Sequence, residues 1–296
     1  MRFAAIDVGS NAIRFLLARI DDGGEMPLIK KEILLRIPIR LGDDVFVHQR
    51  ISPESSRQLV KTMAAFQNLI EAFQPLAFRA CATSAMRDAH NGADIIATVK
   101  KTTGVDLLVI DGKEEAHVIF SSHVERELDP RQTYLFTDVG GGSTEVMIYS
   151  KGEIQHSASF NVGSVRMLNN AVDPEEWARM QRWLHQYAAP LQPLGIGSGG
   201  NIGRLNRMVK KDEAKPLTYK KLHAIYDALK ALTIDERIRL HKLKPDRADV
   251  IVPAAEIYLA VMRWGHVGKM HVPRFGLADG LVRMMYDEYR LRQNPH

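Results

Sequence analysis

The sequence predicts an α/β protein built from two related halves, and three observations support this fold class. The chain has 296 residues, a length that suits one large domain or two of medium size. Strand-like stretches alternate along it with amphipathic helical stretches. Two similar Gly-rich segments lie 131 positions apart, close to half the chain length. Together these features predict two lobes, with a cleft between them as the natural place for a ligand.

The repeated segment is the most informative of these features. Phe3 to Asn11 reads FAAIDVGSN, and Leu135 to Ser143 reads LFTDVGGGS. In each copy an apolar strand leads into an Asp, then a Gly-rich turn, then a second strand-like run, Ile13 to Ile20 or Thr144 to Tyr149. Each half is therefore predicted to open with a β-hairpin whose turn carries function.

Helices and further strands follow each hairpin. In the first half, Ser52 and Pro53 predict a helix start, because apolar residues then recur at spacings of three and four. The apolar runs 76–82 and 106–110 predict buried strands. In the second half, capping residues followed by apolar stripes predict three helix starts, at Asp173, Thr218 and Thr233.

Composition limits the class of protein. Apolar residues make up 45% of the chain and charged residues 25%, which excludes a disordered chain, a collagen or a disulfide-stapled miniprotein. The single cysteine, Cys81, cannot form an intramolecular disulfide and is expected to be a small buried residue. The N-terminal apolar run meets Asp7 too early for a signal peptide, and no stretch is long enough to span a membrane. We therefore expect a cytoplasmic protein.

The Gly-rich turns suggest phosphate chemistry. Glycine at a tight turn lets backbone N–H groups converge, and converging N–H groups bind anions. Asp7 and Asp138 each precede such a turn, where a carboxylate can hold Mg²⁺ between itself and a phosphate. A third Gly-rich run, Gly195 to Gly200, precedes a helix-like stretch and can take another phosphate, although a flexible loop explains it nearly as well.

A family resemblance rests on motifs that occur in a fixed order: Ile6 to Asn11, Ala82 to Ala89, Glu114 to Ala116, and Asp138 to Glu145, with smaller matches at Arg40 to Gly42, Gly163 to Arg166 and Gly199-Gly200. This set resembles the exopolyphosphatase / guanosine pentaphosphate phosphohydrolase (Ppx/GppA) family over nearly all 296 residues. The resemblance implies two ribonuclease-H-like domains of the actin, Hsp70 and sugar-kinase superfamily, with an interdomain cleft. We predict one domain from 1–118 plus a C-terminal helix 283–296, and the other from 119–282.

The resemblance also implies a mechanism, the hydrolysis of a terminal phosphoanhydride. Glu115 matches the family's general base, and Glu145 is the second predicted catalytic carboxylate. Asp138, Glu145 and Asp7 are the predicted ligands of Mg²⁺. Arg87 matches a family arginine at the phosphate site, and its guanidinium can hold two phosphate oxygens. The remaining phosphate contacts are predicted at Gly9, Ser10, Asn11, Gly140, Gly141, Gly142, Ser143, Gly199 and Gly200.

Charge along the chain bears on the substrate. The net charge is +5, yet residues 204–247 contain thirteen Lys or Arg against six Asp or Glu, a local charge of +7. Such a segment can be an ordinary solvated surface, or a basic wall that attracts a polyanion. Few aromatic residues are interleaved with it, which favours inorganic polyphosphate or guanosine pentaphosphate over nucleic acid. A homodimer is compatible with the sequence.

Departures from the family pattern leave alternatives open. Ala278-Asp279-Gly280 stands where the family usually has Arg-Glu-Gly, and Gly199-Gly200-Asn201-Ile202 replaces the commoner Gly-Gly-Thr-Ala. The chain also ends at His296, without the C-terminal helical domain of longer relatives, which favours shorter polyphosphate chains. The leading hypothesis is an exopolyphosphatase. Alternatives are a guanosine pentaphosphate phosphohydrolase, a kinase of the same superfamily, and a catalytically weak sensor of polyphosphate or an alarmone.

Overall fold

The computed structural model describes residues 1–23, 27–121, 128–209 and 215–293. The chain separates into two compact units, Met1–Glu125 with Phe275–His296, and Arg126–Arg274. Each unit contains one β-sheet with helices, as the α/β pattern predicts. Residues 275–282 group with the first unit because the helix Leu277–Gln293 packs as one piece against its first strand.

The first unit is built on a five-stranded sheet. Its strands are β1 (Arg2–Val8), β2 (Ile13–Asp21), β3 (Leu28–Ile37), β4 (Ala77–Ala82) and β5 (Leu107–Val109), in the order β3-β2-β1-β4-β5. The first three strands are antiparallel, and β4 and β5 run parallel to β1. Its helices are α1 (Leu41–His48), α2 (Pro53–Phe73), α3 (Ser84–Asp88), α4 (Gly92–Thr103), α5 (Gly112–Ser121) and the last helix of the chain, Leu277–Gln293, numbered α13 below.

The second unit repeats this plan with one strand added. Its strands are β6 (Tyr134–Val139), β7 (Thr144–Ser150), β8 (Glu153–Phe160), β9 (Leu194–Ser198), β10 (Leu217–Thr218) and β11 (Lys269–His271), in the order β10-β11-β9-β6-β7-β8. Strands β6, β7 and β8 are antiparallel, β9 is parallel to β6, and β11 is parallel to β9. Apart from β10, the strand order and directions match those of the first sheet, so the internal repeat is a repeat of structure.

The helices of the second unit are α6 (Ser164–Leu168), α7 (Pro174–Trp183), α8 (Gly200–Val209), α9 (Tyr219–Lys230), α10 (Ile234–His241), α11 (Pro245–Ala248) and α12 (Ile251–Trp264). Helix α7 continues into a π-helical turn, Leu184–Ala188. Helix α12 lies inside the core, because eleven of its fourteen residues are buried. Within the described parts of the chain, no helix combines the length and the apolar character needed to cross a membrane.

The predicted helix starts occur for the expected reasons. The Ser52 side chain accepts a hydrogen bond from the Ser55 amide at the start of α2, and Thr233 forms a complete capping box with Glu236. Asp173 caps α7, but Glu176 accepts from the Asn161 amide instead of closing a capping box. That glutamate therefore fixes the end of a neighbouring strand.

One predicted buried strand is an exposed edge. Residues 106–110 contain β5, whose Leu108 and Val109 are 53% and 41% exposed. The prediction of burial is wrong here because β5 is the last strand of its sheet and pairs on one side only. An apolar run alone does not distinguish a central strand from an edge strand.

Candidate functional site

The second hairpin brings two carboxylates together. Asp138 on β6 is the cross-strand partner of Glu145 on β7, so both side chains lie on the same face of the sheet. Asp138 is 8% exposed and Glu145 is fully buried. One carboxylate oxygen of each lies within 4.8 Å of the other. The Ser159 hydroxyl donates a hydrogen bond to Glu145 Oε1 at 3.0 Å and orients that carboxylate.

The first hairpin has the same geometry with a different charge. Asp7 on β1 is the cross-strand partner of Arg14 on β2, and Arg14 Nη1 donates to Asp7 Oδ2 at 2.6 Å. The partner follows the Asp by seven positions in both copies. Sequence reasoning missed Arg14, although aligning the two hairpins residue by residue would have placed it opposite Glu145. The buried Asp7 carboxylate thus has a protein cation beside it, whereas Asp138 faces a second carboxylate.

The turn of the second hairpin is held from behind by α6. The Gly140 carbonyl accepts from both the amide and the hydroxyl of Ser164, at 3.0 and 3.1 Å. The Gly141 carbonyl accepts from two amides at the start of α6, and Arg166 Nε donates to the Gly142 carbonyl at 3.0 Å. Three successive carbonyls therefore face the same helix. A glycine is required at position 163, because a Cβ there would lie 2.4 Å from the Gly141 oxygen.

The same arrangement leaves the turn's amides available. Among the residues that the structure describes, the amides of Gly141, Gly142 and Ser143 donate to no protein acceptor. Three consecutive N–H groups of this kind are donors that can bind a phosphate. We call this group of three amides the amide cradle. It adjoins the carboxylate pair, because the turn connects the strands that carry Asp138 and Glu145.

A tyrosine ties the third Gly-rich segment to this turn. Tyr258 on α12 is fully buried; its hydroxyl accepts from the Val139 amide at 3.2 Å and donates to the Ser198 carbonyl. Burial, together with the charges of Asp138 and Glu145, raises the pKa of Tyr258 well above its usual range, so the hydroxyl keeps its proton. Sequence reasoning missed Tyr258 because it lies inside an apolar helical stretch.

Gly199 lies directly beside the carboxylates. It has a φ of +111°, and a Cβ there would lie 3.2 Å from Asp138 Oδ1. Glycine is thus needed both for the left-handed backbone and for the close approach to Asp138. Gly200 begins α8, as the Gly-rich pattern predicts. The predicted phosphate-binding residues Gly199 and Gly200 therefore adjoin the second hairpin.

In the first unit, Glu115 is positioned by the start of α5. Asp111 caps that helix, since its Oδ1 accepts from the amides of Lys113 and Glu114 at 2.8 Å each. Glu115 is 9% exposed, whereas its neighbour Glu114 is exposed. Arg87 Nη1 donates to the Ile110 carbonyl at 2.8 Å, next to this cap. One side of the Arg87 guanidinium is therefore engaged by the protein.

The turn of the first hairpin is also held from behind. The Ser10 hydroxyl accepts from the Ala85 amide at 3.1 Å, and its carbonyl accepts from the Gly42 amide at 2.9 Å. Asn11 Oδ1 accepts from Arg40 Nε at 2.7 Å. These bonds join three of the matched motifs, Ile6 to Asn11, Ala82 to Ala89 and Arg40 to Gly42. Phosphate binding by the residues of this turn, Gly9, Ser10 and Asn11, remains a prediction.

The carboxylate pair fits a divalent cation. Two buried carboxylates on facing strand positions repel one another unless a cation or a proton lies between them. Mg²⁺ prefers carboxylate oxygens and keeps several waters, which suits a pair of ligands beside a phosphate site. The residues that would hold it are Asp138 and Glu145. Asp7 is less suited as a ligand than they are, because its carboxylate already contacts Arg14.

Cys81 has no nucleophilic character. It lies on β4 opposite Asp7 and is 2% exposed, which confirms the expectation of a small buried residue. Burial, and next the charges of Asp7 and Glu114, raise the pKa of its thiol to about 12. The thiolate is therefore not formed at neutral pH.

Known proteins show similarity across the chain. The model of the Ppx/GppA phosphatase family matches residues 16–288. Exopolyphosphatase 1 of Mycobacterium tuberculosis is 25% identical over 315 aligned positions, which cover 97% of this chain and 89% of that protein. Guanosine-5'-triphosphate,3'-diphosphate pyrophosphatase of Vibrio parahaemolyticus is 26% identical, over 99% of this chain and 60% of that protein.

A solved structure supports the fold. The crystal structure of an exopolyphosphatase from Cytophaga hutchinsonii is 24% identical, with a TM-score of 0.81 over 97% of this chain and 98% of that chain. This similarity, together with the two sheets described above, confirms the predicted α/β fold class with two actin-like domains.

Proposed function

Because this chain belongs to the Ppx/GppA phosphatase family, we propose that it is an exopolyphosphatase that releases terminal phosphate from inorganic polyphosphate. The observation that carries the proposal is the pairing of Asp138 with Glu145 beside the amide cradle. This arrangement places carboxylates that can bind a cation next to N–H groups that can donate hydrogen bonds to a phosphate. A phosphoanhydride hydrolase needs both, because it must neutralise phosphate oxygens and direct a water to the phosphorus.

The roles of the chain's residues follow from their chemistry. The amides of Gly141, Gly142 and Ser143 hold oxygens of the terminal phosphate and favour the charge that develops on them. The Arg87 guanidinium adds positive charge through the N–H groups that Ile110 does not engage. Asp138 and Glu145 would hold Mg²⁺, which would neutralise charge on the phosphate oxygens.

Glu115 acts as the general base in this proposal. Its carboxylate accepts a proton from the attacking water as the oxygen bonds to phosphorus, and the shortened polyphosphate leaves with the electrons of the broken P–O bond. Its burial of 91% keeps competing water away from the carboxylate, and the Asp111 cap fixes the helix that carries it. A positioned base of this kind contributes about 10²–10⁴-fold to the rate.

The experiment is a measurement of phosphate released from polyphosphate in the presence of Mg²⁺. We expect the wild-type protein to release phosphate and the Glu115→Gln variant to release it at least about 100-fold more slowly. Glu114→Gln is the matched control, since Glu114 is the exposed neighbour on the same helix and should keep full activity. Equal rates in wild type and Glu115→Gln contradict the assignment of the base. Binding of polyphosphate without turnover would instead indicate a sensor.

A second candidate substrate is guanosine pentaphosphate. The Vibrio parahaemolyticus relative supports this substrate, because its name includes a guanosine polyphosphate and its alignment covers 99% of this chain. In this proposal the amide cradle and the two carboxylates act on the terminal phosphate alone, so the same residues serve either substrate. Relative kcat/KM values for polyphosphate of defined length and for guanosine pentaphosphate separate the two.

The basic segment 204–247 supports a polyanionic substrate. Arg237 is structural, since it donates to the carbonyls of Leu229 and Ala248, and Arg204 donates to the His241 carbonyl. Lys220, Lys221 and several others are exposed, whereas Lys210 and Lys211 lie outside the described residues. We propose that the exposed members attract the substrate, in which case KM rises with ionic strength. Cytoplasmic location and a homodimer remain predictions.

A further inference from the structure

Tyr258 is the side chain that joins the turn of the second hairpin to the end of β9. Its hydroxyl accepts a hydrogen bond from the Val139 amide, one residue after Asp138. The same hydroxyl donates to the Ser198 carbonyl, one residue before Gly199. Asp138 and Ser198 are parallel-strand partners at the last position of the β6–β9 pairing. The tyrosine therefore contacts both strands at the last position of their pairing.

The two strands separate directly after this position. Gly199 turns away from the sheet with a φ of +111° and leads into α8, while Val139 continues into the glycine turn. At this last paired position the Tyr258 hydroxyl contacts both the Val139 amide and the Ser198 carbonyl, which face each other across the two strands. The hydroxyl bridges them, and the ring is anchored because α12 is buried along most of its length.

The Tyr258 hydroxyl lies close to the Asp138 carboxylate. A Cβ at Gly199 would meet Asp138 Oδ1 at 3.2 Å and the Tyr258 hydroxyl at 3.5 Å, so these two groups are neighbours around the same glycine. The backbone of Asp138 is therefore held between the β6–β7 pairing on one side and the tyrosine bridge on the other. A shift of its carboxylate by a fraction of an ångström would change its distance from Glu145.

We propose that Tyr258 is a positioning residue that sets the geometry of the Asp138–Glu145 pair and thereby its affinity for a divalent cation. The tyrosine does not contact the substrate; it acts through the backbone of Val139 and Ser198. The expected effect on the rate of phosphate release rests on the proposed function. Mg²⁺ binding and hydrogen exchange of the backbone amides are measured without substrate turnover.

The variant that tests this is Tyr258→Phe, which removes the hydroxyl and keeps the ring. Its matched control is Tyr134→Phe, because Tyr134 lies on the same strand β6, is 8% exposed, and accepts one hydrogen bond from the Asp129 amide at the opposite end of that strand. Both variants lose a tyrosine hydroxyl bond in the same unit. Only in Tyr258→Phe is the lost hydroxyl next to Asp138.

Three measurements are made on the full-length protein. We expect Tyr258→Phe to weaken Mg²⁺ binding, measured by calorimetry without substrate, by about three- to tenfold, and Tyr134→Phe to leave it within twofold. Hydrogen exchange of the Val139 amide should accelerate at least tenfold in Tyr258→Phe, while the Leu135 amide is unaffected. The kcat for phosphate release should fall at subsaturating Mg²⁺ and recover as Mg²⁺ is raised.

The outcomes separate the inference from the proposed function. Unchanged Mg²⁺ affinity in Tyr258→Phe, or an equal loss in Tyr134→Phe, overturns the positioning role. If Tyr258→Phe is destabilised, the exchange of Val139 relative to Leu135 still decides, because global unfolding accelerates both amides together. A wild-type protein that binds Mg²⁺ but releases no phosphate overturns the proposed function and leaves the positioning role standing.

Discussion

Asp138 and Glu145 are cross-strand partners with buried carboxylates, and the equivalent positions of the first hairpin hold Asp7 and Arg14. The duplicated hairpin thus occurs in two electrostatic forms. In the first, a guanidinium 2.6 Å from the carboxylate supplies the positive charge. In the second, the protein supplies two negative charges, so the proposed divalent cation would supply the positive charge.

The first prediction converts one form into the other. Arg14→Glu places two carboxylates on the first hairpin, and we expect the free energy of unfolding to fall on the order of 2 kcal/mol without divalent cations, because the buried Asp7 loses its partner. Added Mg²⁺ should recover part of this loss. Arg14→Gln, which adds no charge, should show a smaller loss and no recovery. Thermal or denaturant unfolding with and without Mg²⁺ measures both, and equal responses of the two variants to Mg²⁺ contradict this explanation.

The second prediction concerns cation binding by the wild type. A ligand that binds only the folded state at 100 times its dissociation constant stabilises it by about 2.7 kcal/mol. We therefore expect saturating Mg²⁺ to raise the Tm by roughly 5 °C or more. Asp138→Asn removes one ligand and the repulsion within the pair, so its Tm should respond little to Mg²⁺. A shift as large as that of the wild type would place the cation elsewhere.

The third prediction tests the support of the amide cradle. Gly163→Ala puts a Cβ 2.4 Å from the Gly141 oxygen, which forces the turn away from α6. We expect phosphate release to fall at least about tenfold, since electrostatic stabilisation depends on where the amides point. Gly268→Ala is the control, because no atom lies within 4 Å of a Cβ there. Full activity in Gly163→Ala would show that the turn does not need this packing.

The fourth prediction is a pH dependence of stability that arises from Cys81. Burial, with a contribution from the charge of Asp7, raises the pKa of this thiol from 9.0 to about 12 in the folded protein. Because the pKa of the thiol is higher in the folded protein, the unfolded chain loses the thiol proton first as the pH rises. The contribution of Cys81 to the free energy of unfolding is therefore fully present below pH 9 and is lost as the pH rises above 9. Relative to Cys81→Ala, the wild type should lose about 1 kcal/mol of unfolding free energy by pH 10. Denaturant unfolding of both proteins at pH 8, 9 and 10 measures this, and a constant difference contradicts it.

Much of the site follows from the sequence because hairpin register is a local property. A short Gly-rich turn fixes which residues oppose each other, so the proximity of Asp138 and Glu145 is already implied by their spacing of seven. The same logic extends to Arg14, which a residue-by-residue alignment of the two copies would have found. The helix starts at Ser52 and Thr233 likewise depend on neighbours three residues away.

The remainder depends on contacts that are distant in the chain. Tyr258 lies 119 residues from Val139, and its apolar surroundings in α12 indicate only a core position. Glu176 meets the Asn161 amide across a turn and a helix, which no capping pattern reveals. The exposure of Leu108 depends on which strand ends the sheet. In each case the tertiary arrangement, which local patterns do not encode, decides the outcome.

We propose that the Asp138–Glu145 pair binds the divalent cation needed to hydrolyse a phosphoanhydride. The most direct test is the initial rate of phosphate release from polyphosphate, measured against Mg²⁺ concentration for the wild type and for Glu145→Gln. We predict a saturable Mg²⁺ dependence in the wild type, and in the variant a Mg²⁺ midpoint at least tenfold higher with a reduced maximal rate. Superimposable Mg²⁺ profiles for the two proteins would contradict the claim.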